Sequence, residues 1–183
     1  VRVEGRALKF GDNVNTDLIL PGKYLVLTRP EDLAAHAMEG LDPGFPRKAQ
    51  EYGLVVAGVN FGGGSSREHA ALALKHAGVR CVVAESFARI FFRNAINNGL
   101  PAVACPGISS KVEEGDRLEV ELEKGLVTNK SKGVTLQAKP FPGFLLGILR
   151  DGGLIPHLNK KHSENKPSLG EGKPSRQGVS SPF

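Results

Sequence analysis

Residues 60–74 read NFGGGSSREHAALAL: three glycines, two serines, an arginine, a glutamate and a histidine run straight into an alanine- and leucine-rich helical pattern. A strand end followed by glycines and a helix N-terminus suits an anion. The first N–H groups of a helix lack partners, and the helix dipole adds partial positive charge there. Gly62, Gly63 and Gly64 can take positive φ and let a ligand approach the backbone. Ser65 and Ser66 add hydroxyls, and Arg67 adds a planar fork matched to a carboxylate or phosphate. The chemistry on offer is recognition of a small acidic molecule with a hydroxyl held beside it. Ser65-Ser66-Arg67-Glu68 is also a capping box, with Ser65 at the N-cap and Glu68 three residues on, and such a box needs no ligand. Three glycines and Arg67 exceed what capping requires, so both readings stand. Two other phosphate or acyl motifs fail: a P-loop lacks its lysine here, and a nucleophile elbow lacks its second glycine.

These groups need a frame that brings a strand end to a helix start. LVVAGVNF (54–61) leads into a helical pattern from about Arg67 to Ala77, RCVVAES (80–86) leads into FARIFFRNAINNG (87–99), and PAVAC (101–105) follows. Short Val/Ala-rich runs separated by helices of about ten residues predict βαβ units and a parallel sheet. Phe87, Ile90, Phe91 and Ile96 recur near helical spacing, which marks them as core rather than a cofactor box. Upstream, RVEGRALKF (2–10) predicts a strand, followed by the polar loop GDNVNTD and the short apolar stretch LILPG. Pro30, with Glu31 and Asp32 behind it and Gly40 at the far end, predicts a helix across PEDLAAHAMEG; FPRKAQEYG predicts a short second one. Downstream, RLEVEL, GLVTNK and GVTLQAK read as a meander of short strands beside the parallel layer, and FPGFLLGILRDGGLIPHL (141–158) is a last apolar segment broken by glycines. The expected fold is α/β over residues 1–158: a mainly parallel sheet flanked by helices, with a small β meander. Residues 159–183 are rich in Lys, Ser, Gly and Pro with almost nothing apolar to bury, and are expected to be disordered.

A chain of 183 residues fits one domain with one substantial core. The net charge is +5, and residues 159–183 supply +3 of it, five cations against Glu164 and Glu171. The nearly balanced body, with no basic stripe interleaved with aromatics, argues against a nucleic-acid partner. No apolar run approaches the roughly 20 residues that span a bilayer, so no membrane partner is expected either. Cys81 and Cys105 are the only cysteines, each in an apolar strand-like run. Buried thiols, and no secretory leader read at the start, predict a reducing, cytoplasmic setting, with ordinary thiols preferred to a disulfide between neighbouring strands. Two thiols cannot make a four-cysteine metal or iron–sulfur site, so no metal is expected on this chain.

NFGGGSSREHAALALKHAGVR, with GDNVNTDLILPGKYL upstream and SFARIFFRNAINNGLP downstream, resembles the 3-isopropylmalate dehydratase small subunits, the separate swivel-domain subunits of the aconitase superfamily. The resemblance runs in order from about residue 3 to residue 158. It implies a swivelling β/β/α domain and a hydro-lyase assembled from two chains, as a heterodimer or heterotetramer. Such an enzyme interconverts 2-isopropylmalate and 3-isopropylmalate by dehydration and rehydration in leucine biosynthesis. It implies a [4Fe–4S] cluster carried by the large subunit, whose open iron is a Lewis acid toward the hydroxyl and carboxylate of a 2-hydroxy di-acid. By motif position, Ser65 corresponds to the catalytic base, and Ser66 and Arg67 to contacts with substrate carboxylates, with Gly64 beside them in the substrate-binding set. A serine hydroxyl acts as a base only where its alkoxide is stabilised, and a helix N-terminus, clustered amides and an arginine supply that environment.

The resemblance also places substrate specificity in the loop Tyr24-Leu25-Val26-Leu27-Thr28, over the variable arm of the substrate. Relatives serving homoaconitate tend to carry an arginine at the position of Val26. An apolar arm suits Val26 and Leu27, whereas a third carboxylate there would be buried unpaired; Arg29 is close enough to take the missing arginine's part after a loop shift. Isopropylmalate is therefore the first expectation, (R)-2-methylmalate the second and homoaconitate the third. A stand-alone anion-binding regulatory module is the reading from another class. Asp12, Asn13, Thr16 and Asp17 match a family loop near the active site or serve Asx turns. His69 and His76 do not have zinc-protease spacing and read as core or surface. Arg89 and Arg93 read as interface or structural residues.

Overall fold

Three runs of small apolar residues build the centre of the sheet. In this computed structural model, which describes residues 1–167, β2 (Gly53–Ala57), β3 (Cys81–Ala84) and β4 (Ala102–Ala104) are parallel and almost wholly buried. Strands covered by helices on both faces read as continuous apolar runs rather than alternating ones. β1 (Arg2–Lys9) runs parallel to β2 through Arg6–Lys9 and pairs antiparallel on its other edge with β5 (Arg117–Glu121). β6 (Leu126–Asn129) and β7 (Val134–Gln137) complete one seven-stranded sheet in the order β4-β3-β2-β1-β5-β6-β7. The meander thus extends the parallel layer edge to edge, with β1 as the hinge strand between the two halves.

Alternation along the strands divides the core in two. Leu8, Val55, Val82 and Ala102 face one side, packed with residues of α2 (Pro30–Ala34), α3 (Phe45–Tyr52) and α4 (Glu68–Ala77). Ala7, Val56, Val83 and Val103 face the other, with Leu118, Val120 and Val127 of the meander and Leu146 of α7 (Gly143–Arg150). α5 (Arg89–Asn97) contributes Phe91 and Ala95 to the first cluster and Ile96 to the second. Ile90, expected in the core, is 51% exposed.

One expected helix is cut short, and helices appear where none was expected. The helix predicted across residues 30–40 stops at Ala34, and the chain continues in turns with Met38 at φ +57°. The cause is tertiary: the Met38 N–H donates to Ile19 O at 2.7 Å, drawing the buried Met38 back onto α1 (Thr16–Ile19). α1 itself, a single turn capped by Asn15 Oδ1 on Leu18 N, is too short for periodicity to reveal. The last apolar segment forms two helices, α7 and α8 (Leu154–Glu164), broken at Gly152 and Gly153, both at positive φ. α8 corrects the expected boundary of the tail: residues 159–164 are helical, and Asp151 holds the helix by accepting from His157 Nδ1 (2.6 Å) and Lys160 Nζ (3.3 Å). The rest of the expected tail, from residue 168 on, lies outside the described residues. α6 (Ile108–Lys111) is one turn after β4. No helix among the described residues is long and apolar enough to cross a membrane.

Both cysteines are buried and free. Register sets Val82 opposite Ala102, which separates Cys81 from Cys105 by about four residues along neighbouring strands. That is roughly 13 Å at strand rise, too far for the ~7 Å Cα limit of a disulfide.

Candidate active site

The parallel strands β1, β2 and β3 all end at one edge, where crossover connections leave loops free to hold a ligand. The loop after β1 (10–15) and the loop after β2 (58–67) are stitched together. Gly58 N donates to Gly11 O, Asn13 N to Val59 O, Gly62 N to Val14 O and Thr16 N to Gly63 O, at 2.7–3.0 Å. Asp12 Oδ1 accepts Val59 N at 2.8 Å, and a Cβ on Gly58 would collide with that same carboxylate oxygen. The loop after β3 joins through Ser86, whose Oγ accepts Asn60 N (2.8 Å) and whose carbonyl accepts Phe61 N (3.0 Å). Asp12 and Asn13 are therefore structural stitches, while Thr16 and Asp17 reach the glycine-led segment.

The three glycines differ in role, which corrects the expectation that all serve ligand approach. Gly62 (φ +83°) is buried, and a Cβ there would enter the Phe91 ring; Gly63 is buried with Asn60 Nδ2 2.9 Å from its Cβ position. Both fit the loop against its neighbours. Gly64 (φ +97°) is exposed, and its Cβ position lies 3.4 Å from Thr16 Oγ1. It alone of the three lies on the open side.

The expected capping box does not form. α4 begins at Glu68, its N-cap is Arg67 at extended φ/ψ, and no side chain caps it. Ser65 lies two residues before the N-cap, and Ser65 and Ser66 are exposed with no side-chain hydrogen bond among the described residues. The physical reason is Arg67. Its Nη1 meets Asp17 Oδ1 at 3.2 Å, which pins the N-cap residue to α1 and keeps the serines in the loop ahead of the helix. Asp17 Oδ1 also accepts Gly22 N at 3.0 Å, so one carboxylate ties Arg67 to the segment expected to set specificity. A pairing across 50 residues could not be read from the sequence.

A 3₁₀ turn, Gly22–Tyr24, leads into that segment, which begins at Tyr24. Leu25 and Leu27 pack against the core, and Val26 between them is 82% exposed. Val26 alone of the expected apolar pair projects; Leu27 is an anchor. Thr28 is exposed, and the Arg29 guanidinium turns back to Glu31 (3.6 Å) and Asp32 (4.0 Å) at the start of α2. His69 and His76 lie on the surface side of α4, and among the described residues no group of three or more His, Cys, Asp or Glu could hold a metal. Arg89 and Arg93 line an open groove of ≈ 580 Å³ with Phe87, Phe92 and Lys139, beyond the ends of β3 and β4. His36 and Glu39, given no role from the sequence, meet Tyr24; their three-residue spacing was the available signal.

Burial pushes the Cys81 thiol up to about 12, and burial together with the Glu85 carboxylate pushes Cys105 up to about 11. Neither thiol reaches the site edge as a thiolate at neutral pH.

A family model described as the aconitase C-terminal domain matches residues 14–106, from the α1 loop to the end of β4. The chain is 56% identical over 164 residues to the isopropylmalate/citramalate isomerase small subunit of Methanocaldococcus jannaschii, covering 90% of this chain and 98% of that one. It is 54% identical over 159 residues to 3-isopropylmalate dehydratase small subunit 1 of Methanopyrus kandleri, covering 87% and 94%. A crystal structure of 3-isopropylmalate dehydratase from M. jannaschii matches with a TM-score of 0.83 and 44% identity, over 90% of this chain and 97% of that one. The fold, the edge of stitched loops and these relatives agree: the chain belongs to the aconitase C-terminal domain family, in its branch of 3-isopropylmalate dehydratase small subunits.

Proposed function

We propose that this chain is the small subunit of a two-chain hydro-lyase that interconverts 2-isopropylmalate and 3-isopropylmalate in leucine biosynthesis. The observation that carries this reading is the Asp17–Arg67 pair set beside two serine hydroxyls without partners among the described residues, in a chain so close to relatives bearing that name. Asp17 occupies Nη1 and leaves the rest of the Arg67 fork for a substrate carboxylate. Ser66 and the Gly64 backbone contact the same acid. Ser65 Oγ takes the proton from the carbon next to a carboxylate and returns it on rehydration. Arg67 and the first N–H groups of α4 stabilise the alkoxide that this requires.

The family implies an iron–sulfur cluster in the assembled enzyme. The thiols of this chain do not fit one: both are buried, far apart in register and held protonated by their surroundings. This supports a reading in which the large subunit carries the [4Fe–4S] cluster and the small subunit alone is inactive. The large subunit covers the loop edge, where Gly64, Ser65 and Ser66 stand exposed.

The exposed Val26 supports a substrate with an apolar arm, and Arg29, engaged by Glu31 and Asp32, supports no third carboxylate. (R)-2-methylmalate is a second substrate on this reading, favoured by the relative named for both isopropylmalate and citramalate. The test is anaerobic reconstitution with the cluster-loaded large subunit. Alkene formation is followed from 3-isopropylmalate, (R)-2-methylmalate and homocitrate. Turnover of the first two is expected, lowered about 10²–10⁴-fold by Ser65→Ala. Preference for homocitrate overturns the assignment of the arm, and full activity of Ser65→Ala overturns the base.

A further inference from the structure

Tyr24 sits in a cage that nothing in the reaction requires. Its ring stacks on His36, centroids 3.7 Å apart and planes within 9°. Its hydroxyl donates to Glu39 Oε1 at 2.6 Å, and the other oxygen of the same carboxylate lies 2.7 Å from His36 Nδ1. An ionised carboxylate only accepts, so the His36 proton stands on Nδ1. Lys23 Nζ covers the Tyr24 ring at 5.1 Å. The hydrogen bonds from Tyr24 and then His36 hold the Glu39 carboxyl below its usual range, and the bond to Glu39 raises the Tyr24 phenol.

The fold is bent to make this cage. α2 breaks off after Ala34, and Met38, a buried non-glycine residue, adopts φ +57°. Left-handed backbone at such a residue is strained and persists only where the surroundings impose it. The Met38 N–H bond to Ile19 O turns the chain back so that Glu39 meets Tyr24. The loop tip hangs directly from Tyr24: Leu27 N donates to Tyr24 O at 3.0 Å. Leu25 and Leu27 anchor its inner side, Asp17 holds its start through Gly22 N, and Val26 stands 82% exposed between them.

We propose that Glu39, with His36, is a positioning residue for substrate specificity: by gripping Tyr24 it fixes where Val26 meets the variable arm of the substrate. This rests on the reading of residues 24–28 as the loop over that arm. Glu39 touches no substrate; it acts only through Tyr24. The selectivity of the enzyme between a branched and a smaller apolar arm is therefore set partly from the turn after α2.

The experiment uses the full chain in complex with its cluster-loaded large subunit, comparing 3-isopropylmalate with (R)-2-methylmalate. Glu39→Ala is expected to raise KM for 3-isopropylmalate roughly tenfold, the scale of one lost charged hydrogen bond, with kcat changed by less than about threefold and the preference between the two substrates narrowed. Glu39→Gln keeps an oxygen for the Tyr24 hydroxyl and should restore most of the KM. Tyr24→Phe removes one hydroxyl, leaves the stack on His36, and should reproduce the Glu39→Ala pattern even where Glu39→Ala fails to assemble. Val26→Ala tests the loop reading by itself. Altered preference in Val26→Ala with none in Glu39→Ala and Tyr24→Phe overturns the positioning role and leaves the loop reading standing. No change of preference in any of the three overturns both. An equal loss of kcat on both substrates, unrelieved by Glu39→Gln, marks Glu39 as merely structural and also overturns the proposal.

Discussion

Ellman's reagent added to the native chain at pH 8 should find neither thiol. The thiolate is the reacting species, and a cysteine at its ordinary value of 9.0 is about one-tenth ionised at that pH. With the Cys81 thiol at about 12, only about one molecule in 10⁴ carries its thiolate; with Cys105 at about 11, about one in 10³. Ionisation alone slows the two reactions by about 1,000-fold and 100-fold against an ordinary cysteine. Both side chains are also 0% exposed, so reagent must wait for local opening of β3 or of the turn after β4. Guanidinium should then release two equivalents. One equivalent in the mixing time without denaturant would refute the burial argument and reopen the assignment of the cluster. The companion measurement is anaerobic treatment of the isolated small subunit with iron and sulfide, which should leave it without cluster absorbance; a cluster formed in stoichiometric yield would sink that assignment outright. The same pKa shift fixes a sign. The protonated Cys81 contributes stability that is complete below pH 9 and is lost as pH rises toward 12, because the unfolded chain ionises first. A loss of about 1 kcal/mol is expected from this group at pH 10, read as a fall of the urea midpoint between pH 8 and pH 10 that is smaller in Cys81→Ala, which keeps the fall due to Cys105.

Asp17→Asn keeps an acceptor for Gly22 N but removes the charge that holds Arg67. Because the Asp17 carboxylate is 69% exposed, stability should fall by less than about 1 kcal/mol, a Tm change of no more than about 4 °C. KM in the reconstituted enzyme should still rise roughly tenfold as the fork loses its orientation; an unchanged or lower KM would mean that freeing the Arg67 charge outweighs aiming it. Gly62→Ala puts a methyl into the Phe91 ring at φ +83° and should cost about 1–3 kcal/mol by urea unfolding. Gly64→Ala, at a similar φ but meeting only Thr16 Oγ1 (3.4 Å) and Asn15 Cβ (3.9 Å), should cost about 1 kcal/mol and act on KM instead.

Much of the frame was legible because it rests on local patterns. Buried parallel strands show themselves as Val/Ala runs at β2, β3 and β4, and the helices between them carry glycines at their C-terminal ends, as at Gly78. What the sequence concealed was set by distant partners. Pro30, Glu31 and Asp32 start a helix correctly, but nothing local says that Met38 will give its N–H to Ile19 and end the helix early. Composition made residues 159–164 look like tail, yet Asp151 draws His157 and Lys160 in and α8 continues to Glu164. The identical-looking glycines at 62 and 64 differ in their surroundings, a phenylalanine ring in a buried turn in one case and the exposed side of the loop beside Thr16 in the other.

Ser65 is where this distinction bears most on chemistry. A serine that caps a helix has its oxygen committed to a backbone N–H, and that bond must be given up before the oxygen can accept a proton from carbon. S-S-R-E has the letters of such a cap, and spacing alone cannot separate a committed hydroxyl from a free one. Arg67 separates them. By turning to Asp17 it becomes the N-cap without capping, moves the helix start to Glu68, and leaves Ser65 two residues outside, with its hydroxyl free of protein partners among the described residues. For Ser65 as the proposed base, that arrangement is what the chemistry asks: the oxygen gives up no hydrogen bond to act, while the N–H groups and guanidinium that would stabilise its alkoxide remain one short step along the chain. Asp17→Asn therefore tests more than substrate affinity. If the pair keeps the serines out of the helix, loosening Arg67 lets the S-S-R-E box close, and kcat should fall along with the rise in KM. A rise in KM alone would confine Asp17 to aiming Arg67 and leave the position of Ser65 to the stitched loops.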